Sequence, residues 1–184
     1  RVQSTFNKLA RKAGLQMRNV PLYLDGGNWV SDNAGRVIVT ERFLLDNRMD
    51  AAAATQAIRQ HTGASQVCIL PDDDPDGLGH ADGMAMFLDS STVCVNKNDE
   101  PMRSKVQQAL RAAFPGINIV ELPAVFDYEV LYPGFSSSSG IYVNAPVTDR
   151  AVYVPMYGLP TDQQALSMIR SRTRKTVVPV AAQA

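Results

Sequence analysis

His80 and Asp82 are the residues of this chain whose types and spacing most directly suggest chemistry. They lie two positions apart at the head of the apolar run ADGMAMFL, and His80 is one of only two histidines. If the run is a strand, alternation sends both side chains to one face of the sheet. An imidazole beside a carboxylate can serve as a general acid or base and can bind a cation. Spacing alone still favours a structural histidine.

The acid-rich stretch before His80 could instead bind a metal. Asp72, Asp74, Asp76 and Gly77 match the first half of a calcium-loop pattern. The twelfth position, which needs a bidentate glutamate, is Gly83. We therefore interpret the stretch as an acidic turn and expect neither a metal site nor a cofactor.

A third candidate carboxylate, Asp25, precedes the pair Gly26 and Gly27 in LDGGNW. It is predicted to close a strand over VPLYL, and paired glycines permit close approach of another group to the backbone. A tight turn followed by a hairpin is an alternative interpretation of the same residues. The motif alone does not decide between a turn and a site.

Composition limits what these residues can belong to. The chain has 184 residues, 45% of them apolar, which suffices for one domain with a sizeable core. Eighteen basic residues balance eighteen acidic ones, so we expect no nucleic-acid or membrane partner. No apolar run approaches the length of a membrane span. We predict a soluble protein, and its compartment, cytoplasmic or secreted after processing, stays open. Cys68 and Cys94 lie in β-branched runs typical of buried thiols.

The elements that must position the candidate residues form a repeat. A strand, strand, helix, strand order recurs, and the strand after each helix begins near Val67, Ile117 and Thr176. The first round includes the strand RVIVT and the helix AAAATQAIRQ, and the third includes the strands DYEVLY and IYVNA. Repetition at this period indicates stacked or radial units. We predict one α/β domain over 1–184, a partial propeller whose parts are the tail of a preceding unit and three further units: 1–21, 22–71, 80–123 and 128–180.

Three segments in order resemble one enzyme family. LDGGNWVSDNAGRVIVTERFLLDNR, DDDPDGLGHADGMAMFLD and IYVNAPVTDRAVYVPMYGLPTDQQAL are similar to landmarks of the guanidino-group-modifying enzymes called the pentein superfamily, of the agmatine deiminase or peptidylarginine deiminase type. The resemblance covers 22–166. It implies the pentein fold, an α/β propeller of five ββαβ units, of which about three are present here.

The resemblance also implies roles for residues. In such enzymes a cysteine thiolate attacks the guanidinium carbon, a histidine protonates the leaving amine and then activates water, and carboxylates hold the cation. His80 takes the acid/base role, and Asp25 would hold and polarise it. Asp82 would grip the guanidinium, and Asn28, assigned with Asp82 to the substrate-binding site, would secure the loop. The expected substrate is a small guanidino compound or peptidyl-arginine, with ammonia and a ureido product or citrulline released.

Two parts of the family pattern have no match in the chain. These are an R-D motif upstream of the paired glycines and the nucleophilic cysteine, expected after the strand that corresponds to TVVPV. Two interpretations stay open. Either a second polypeptide segment completes an active deiminase, or the chain is a catalytically inactive binding or interaction module. Hydrolysis versus amidine transfer is also open.

Overall fold

The computed structural model describes residues 2–74, 77–126 and 137–182. In these ranges, five α-helices and eight strands alternate with two 3-10 turns, over 26–28 and 81–83. The helices are α1 (Val2–Lys12), α2 (Arg42–Asn47), α3 (Ala51–Thr62), α4 (Met102–Ala113) and α5 (Asp162–Arg170). The strands are β1 (Val30–Ser31), β2 (Arg36–Thr40), β3 (Gln66–Leu70), β4 (Ala85–Phe87), β5 (Thr92–Asn96), β6 (Asn118–Leu122), β7 (Ala151–Met156) and β8 (Thr176–Ala181). Within the described ranges, every helix is too short or too polar to cross a bilayer.

The strands form three small sheets with one plan. In the first, β1 pairs antiparallel with β2, and β2 pairs parallel with β3 across α3. The second repeats this with β4, β5, α4 and β6. In the third, β7 pairs parallel with β8 across α5. Each parallel pair therefore needs its helix as the crossover connection.

Alternation along the strands divides the core. In β2, the side chain of Ile38 packs in one apolar cluster, whereas Val37 and Val39 pack on the opposite face with α3. The cluster that contains Ile38 also holds Val106 and Leu110 of α4. A helix thus covers each face of the first sheet, and this explains why its strands are continuous apolar runs rather than alternating ones.

The second sheet is covered in the same way. Cys94 and Leu122 pack with Leu166 and Ile169 of α5, while Val93 of the same strand faces α4. Each of α4 and α5 is therefore buried between the sheet of its own unit and the sheet before it. This packing joins consecutive units through their cores.

Two predicted strands are absent from the described residues, and a third lies outside them. VPLYL and IYVNA are not strands: 20–24 is irregular, and the counterpart of a first strand in the third unit makes only the isolated bridges Ala124 to Ile141 and Val147 to Val152. The pattern misled because apolar residues there pack without forming a ladder; Tyr142, for example, is fully buried. The predicted strand DYEVLY, and with it the start of the unit at 128, lies outside the described residues.

Candidate active site

His80 stands where two segments of the first two units meet. It immediately precedes the 3-10 turn 81–83 with extended backbone angles, φ −83° and ψ 134°. Its Nε2 lies 3.4 Å from Oδ2 of Asp25, and its Nδ1 lies 3.9 Å from Oδ1 of Asp82. The structure therefore brings the three predicted residues together, with one carboxylate on each side of the imidazole.

The prediction that His80 and Asp82 point to one face of a strand was wrong. Neither residue lies in a strand, since β4 begins only at Ala85. The two side chains converge because Asp82 sits within the tight turn that follows His80. A 3-10 turn completes one revolution in about three residues, so residues two apart stay close and their side chains can meet.

Asp25 and its glycines approach the imidazole from the first unit. Asp25 precedes the 3-10 turn 26–28, and its predicted place at the end of a strand was wrong because no ladder forms there. Gly27 lies directly over the ring, so that a Cβ at this position would overlap the Nδ1, Cε1 and Cγ atoms of His80. The glycine is required for space rather than for an unusual backbone angle. This approach leaves the His80 side chain 22% exposed.

Nε2 of His80 is buried and has no hydrogen-bond partner among the described residues. The contact with Asp25 at 3.4 Å is longer than a good charge-assisted hydrogen bond. The Asp25 side chain is 63% exposed, so it is free to move closer. The imidazole is therefore held in place but still has an unused polar atom.

The electrostatics around Asp82 favour arrival of a cation. Burial raises the pKa of Asp82, the nearby His80 opposes the shift, and the negative charge of Asp25 adds to it. A carboxylate whose ionised form is disfavoured in this way gains most from a positive ligand. A guanidinium, with paired N–H donors in one plane, is the cation best shaped for a carboxylate.

A cavity of about 610 Å³ opens at His80 and Asp82. Four further carboxylates line it, Asp73, Asp74, Asp99 and Glu100, and His80 is the only basic side chain among the described lining residues. Although solvent reaches part of Asp73, burial of its carboxyl raises its pKa to about 6, and Asp72 and Asp74 add to the shift. Asp25 and Asn28 do not line this cavity. Asp25 contacts only the far side of the imidazole.

Asn28, expected at the substrate-binding site, is buried beneath the glycine turn. It is 2% exposed, and its Oδ1 accepts a hydrogen bond of 2.8 Å from the backbone N–H of Thr40. This bond attaches the glycine turn to the end of β2. Asn28 makes no contact with the cavity.

Sequence reasoning missed one wall of the cavity. Asn98, Asp99, Glu100 and Met102 follow the end of β5, and Ser137, Ser138 and Asn144 close the side towards the third unit. A usable signal existed, because ligands in α/β sheets bind beyond the carboxyl ends of strands. Polar residues follow both β3 and β5 at that end, and the segment KNDEP after β5 was not predicted to line a site.

No cysteine faces the cavity among the described residues. Burial raises the pKa of both Cys68 and Cys94 to about 12, so neither forms a thiolate near neutral pH. In the part of the chain that the structure describes, no cluster of three metal-ligating side chains occurs. His61 lies in the last turn of α3, away from the cavity.

Solved structures with the same fold were found among amidine-modifying enzymes. Agmatine deiminase of Enterococcus faecalis superposes with a TM-score of 0.76 at 21% identity, covering 95% of this chain and 57% of that one. A cysteine-to-serine variant of agmatine deiminase from C. jejuni with substrate bound gives a TM-score of 0.72 at 20% identity, covering 96% and 56%. A cysteine-to-serine DDAH from Pseudomonas aeruginosa with citrulline gives 0.59 at 14%, covering 98% and 58%.

These likenesses show that the chain shares the fold of these enzymes. The chain spans slightly more than half of their length, 56–58% for the three structures described. No curated protein matches the sequence. The model of one family, the Porphyromonas-type peptidyl-arginine deiminases, matches residues 2–184, so the chain belongs to that family.

Proposed function

We propose that the protein is the guanidinium-binding and acid/base part of a deiminase-type hydrolase, which releases ammonia from a guanidino group. One observation carries the proposal: the His80 imidazole lies between the carboxylates of Asp25 and Asp82, and His80 and Asp82 line an acidic cavity. A planar cation in this cavity can pair with Asp82 beside the imidazole. Family membership points to the same chemistry.

Each residue has a defined task in the proposed reaction. Asp82 accepts paired hydrogen bonds from the guanidinium and orients its carbon. His80 donates a proton to the departing nitrogen and afterwards takes one from the attacking water. Asp25 orients the imidazole and balances its positive charge between these steps. Asn28 fixes the turn that carries Asp25.

A thiolate must supply the covalent step. It attacks the guanidinium carbon, ammonia leaves with the proton from His80, and water then cleaves the thiouronium to give a ureido product and the free thiol. Neither cysteine of this chain suits the role, because both are buried with pKa values near 12. We propose that the cysteine comes from a segment or second polypeptide outside these 184 residues. The ligand-bound neighbours, both cysteine-to-serine variants, support a cysteine requirement.

The charge of the cavity favours one class of guanidino compound. Besides Asp82, the lining carries Asp73, Asp74, Asp99 and Glu100 without a lysine or arginine among its described members. A free α-carboxylate would be repelled there, whereas an amine or an amide would not. We therefore place decarboxylated arginine, whose far end is cationic, ahead of peptidyl-arginine and well ahead of free arginine.

A second candidate is a catalytically inactive module that binds guanidino compounds without turning them over. The absence of an accessible cysteine from the described lining residues favours it. Both candidates predict that this chain binds a guanidinium. They differ only in whether ammonia is released once any partner polypeptide is present.

The test is an ammonia-release assay on the protein together with any polypeptide that copurifies from its source. Decarboxylated, peptide-bound and free arginine are the substrates. We expect release from at least one, in the order given above, and expect His80→Ala to abolish it while circular dichroism stays unchanged. Binding of all three without release would establish the inactive module, and release that survives His80→Ala would remove His80 from the mechanism.

A further inference from the structure

Thr40, the last residue of β2, joins both segments that meet at His80. It is completely buried. Its backbone N–H donates to Asn28 Oδ1 at 2.8 Å, and its Oγ1 donates to the carbonyl oxygen of Gly79 at 2.5 Å. Gly79 is the residue directly before His80. One side chain and its own backbone thus hold the turn with Asp25 and Gly27 on one side and the backbone of His80 on the other.

The two residues that follow Thr40 bind the end of β3 and the loop after it. The backbone N–H of Glu41 donates to Leu70 O, at the end of β3, at 2.9 Å, and the Arg42 guanidinium donates to Gly77 O at 2.9 Å. Residues 40–42 therefore hold the path from β3 to His80 at 70, 77 and 79. Among the bonds to these three carbonyls, that from Thr40 is the one next to the imidazole.

The geometry around the ring needs such a tie. Gly27 leaves no room for even a methyl group above the imidazole, and Nε2 has no hydrogen bond of its own in the described part of the chain. The ring is thus positioned by its backbone and by contact rather than by a side-chain hydrogen bond. A small shift of the Gly79 carbonyl would move the ring against Gly27 or away from Asp25.

We propose that Thr40 is a positioning residue for His80, acting through its hydroxyl bond to Gly79. The inference rests on the proposed function for its catalytic consequence, but the positioning itself is a property of this chain. Valine has the shape of threonine without the hydroxyl and would leave the Gly79 carbonyl without this donor. Serine keeps the hydroxyl and loses only a methyl group.

The first experiment compares Thr40→Val with Thr40→Ser, with Thr92→Val as the matched control. Thr92 is also a buried strand threonine, 5% exposed, at the start of β5 and outside the cavity lining. In the ammonia-release assay at equal folded fraction, we expect Thr40→Val to lower kcat by about 10²-fold with KM within about threefold, because a displacement of about 1 Å has this effect on catalysis. Thr40→Ser and Thr92→Val should stay within about threefold of the parent. A kcat for Thr40→Val near that of Thr92→Val would overturn the proposal.

The second experiment does not depend on turnover. The chain has two histidines, and a His61→Asn variant assigns their two imidazole Cε1–H signals in a proton NMR spectrum of the 184-residue chain. We expect the His80 signal to move in Thr40→Val and to keep its position in Thr40→Ser and Thr92→Val. An unmoved His80 signal in Thr40→Val would refute the positioning role even if the parent releases no ammonia. A moved signal with an inactive parent would uphold it while the proposed function fails.

Discussion

At the scale of single residues, the imidazole of His80 is confined by backbone as much as by charge. Gly27 lies over the ring where no Cβ fits, whereas Gly26 has open space around its Cα. The neighbouring glycines therefore offer a matched pair of substitutions. The difference between them measures contact with His80 and not the general effect of a methyl group in this turn.

We predict that Gly27→Ala displaces the imidazole and lowers the free energy of unfolding by up to about 1–3 kcal/mol, the usual range for overpacking. Gly26→Ala should leave stability unchanged or slightly higher, because alanine restricts the unfolded chain. Urea unfolding and the His80 Cε1–H signal check both effects. Equal behaviour of the two variants would show that Gly27 does not touch the ring in solution.

We expect the Asp82 carboxylate to favour binding of a cation and to lower the stability of the folded protein. Burial raises its pKa above the ordinary value of 3.8, so the folded protein holds that proton more firmly than the unfolded chain. The ionised form at neutral pH then opposes folding, and stability falls as the pH rises through the interval above 3.8. The effect is modest, since the Asp82 side chain is 39% exposed and screened by solvent.

We predict that Asp82→Asn has a higher Tm than the parent at pH 7 and that this advantage disappears at pH 3, where the parent carboxyl is protonated. Thermal unfolding followed by circular dichroism at both values is sufficient. Asp89→Asn is the control, and we expect it to lower the Tm at pH 7. Burial would raise the pKa of Asp89, but hydrogen bonds from Ser91 and Thr92 outweigh burial and lower it. A lower Tm for Asp82→Asn at pH 7 would contradict the electrostatic account of the site.

At the scale of elements, the third unit is tied together by a buried polar pair. The hydroxyl of Tyr142, which is fully buried, donates to Oδ1 of Asp162 at 2.6 Å, and the backbone N–H of Gly158 donates to Oδ2 at 2.8 Å. Burial alone would raise the pKa of Asp162, but these hydrogen bonds outweigh it and lower the pKa. The pair joins the segment beside the cavity to the first turn of α5.

We predict that Tyr142→Phe costs about 1.5–3 kcal/mol of unfolding free energy, the range for a hydrogen bond to a charged group. Because the folded pKa of Asp162 is depressed, its contribution is present above the ordinary value of 3.8 and lost as the pH falls through the folded value. Urea unfolding at pH 7 and pH 3 should therefore show a difference between parent and variant that shrinks in acid. A difference independent of pH would assign the loss to packing alone.

Helices and strands were predictable where the apolar pattern of the sequence agrees with the way the segment packs in the fold. The strand RVIVT and the helix AAAATQAIRQ were predicted from their apolar patterns, and in the structure burial and the caps Asp50 and Gly63 act on the same residues. IYVNA was mispredicted because its apolar residues are buried by α5 without forming a ladder. The grouping of His80 with Asp82 was predicted, but the acidic wall after β5 was not, since it comes close to His80 only through the antiparallel pairing of β4 with β5.

At the scale of the whole molecule, three sheets and the helices between them bring the acidic loops to the carboxyl ends of the strands. The chain spans slightly more than half of the relatives with known structures. Large apolar side chains stay exposed on and after α1, among them Phe6, Leu9 and Leu15, each 61% exposed. Exposed apolar surface of this kind marks contact sites.

The central claim is that the cavity beside His80 binds a guanidinium through Asp82. Isothermal titration of the 184-residue chain at pH 7.5 with decarboxylated arginine tests it most directly. Putrescine, which keeps both ends cationic but lacks the guanidinium plane, is the control ligand. We predict saturable one-site binding of the guanidino compound, weaker by at least about tenfold for putrescine and for Asp82→Asn, the effect of losing one charge-assisted pair. Equal affinity for both ligands, or for parent and Asp82→Asn, would contradict the account.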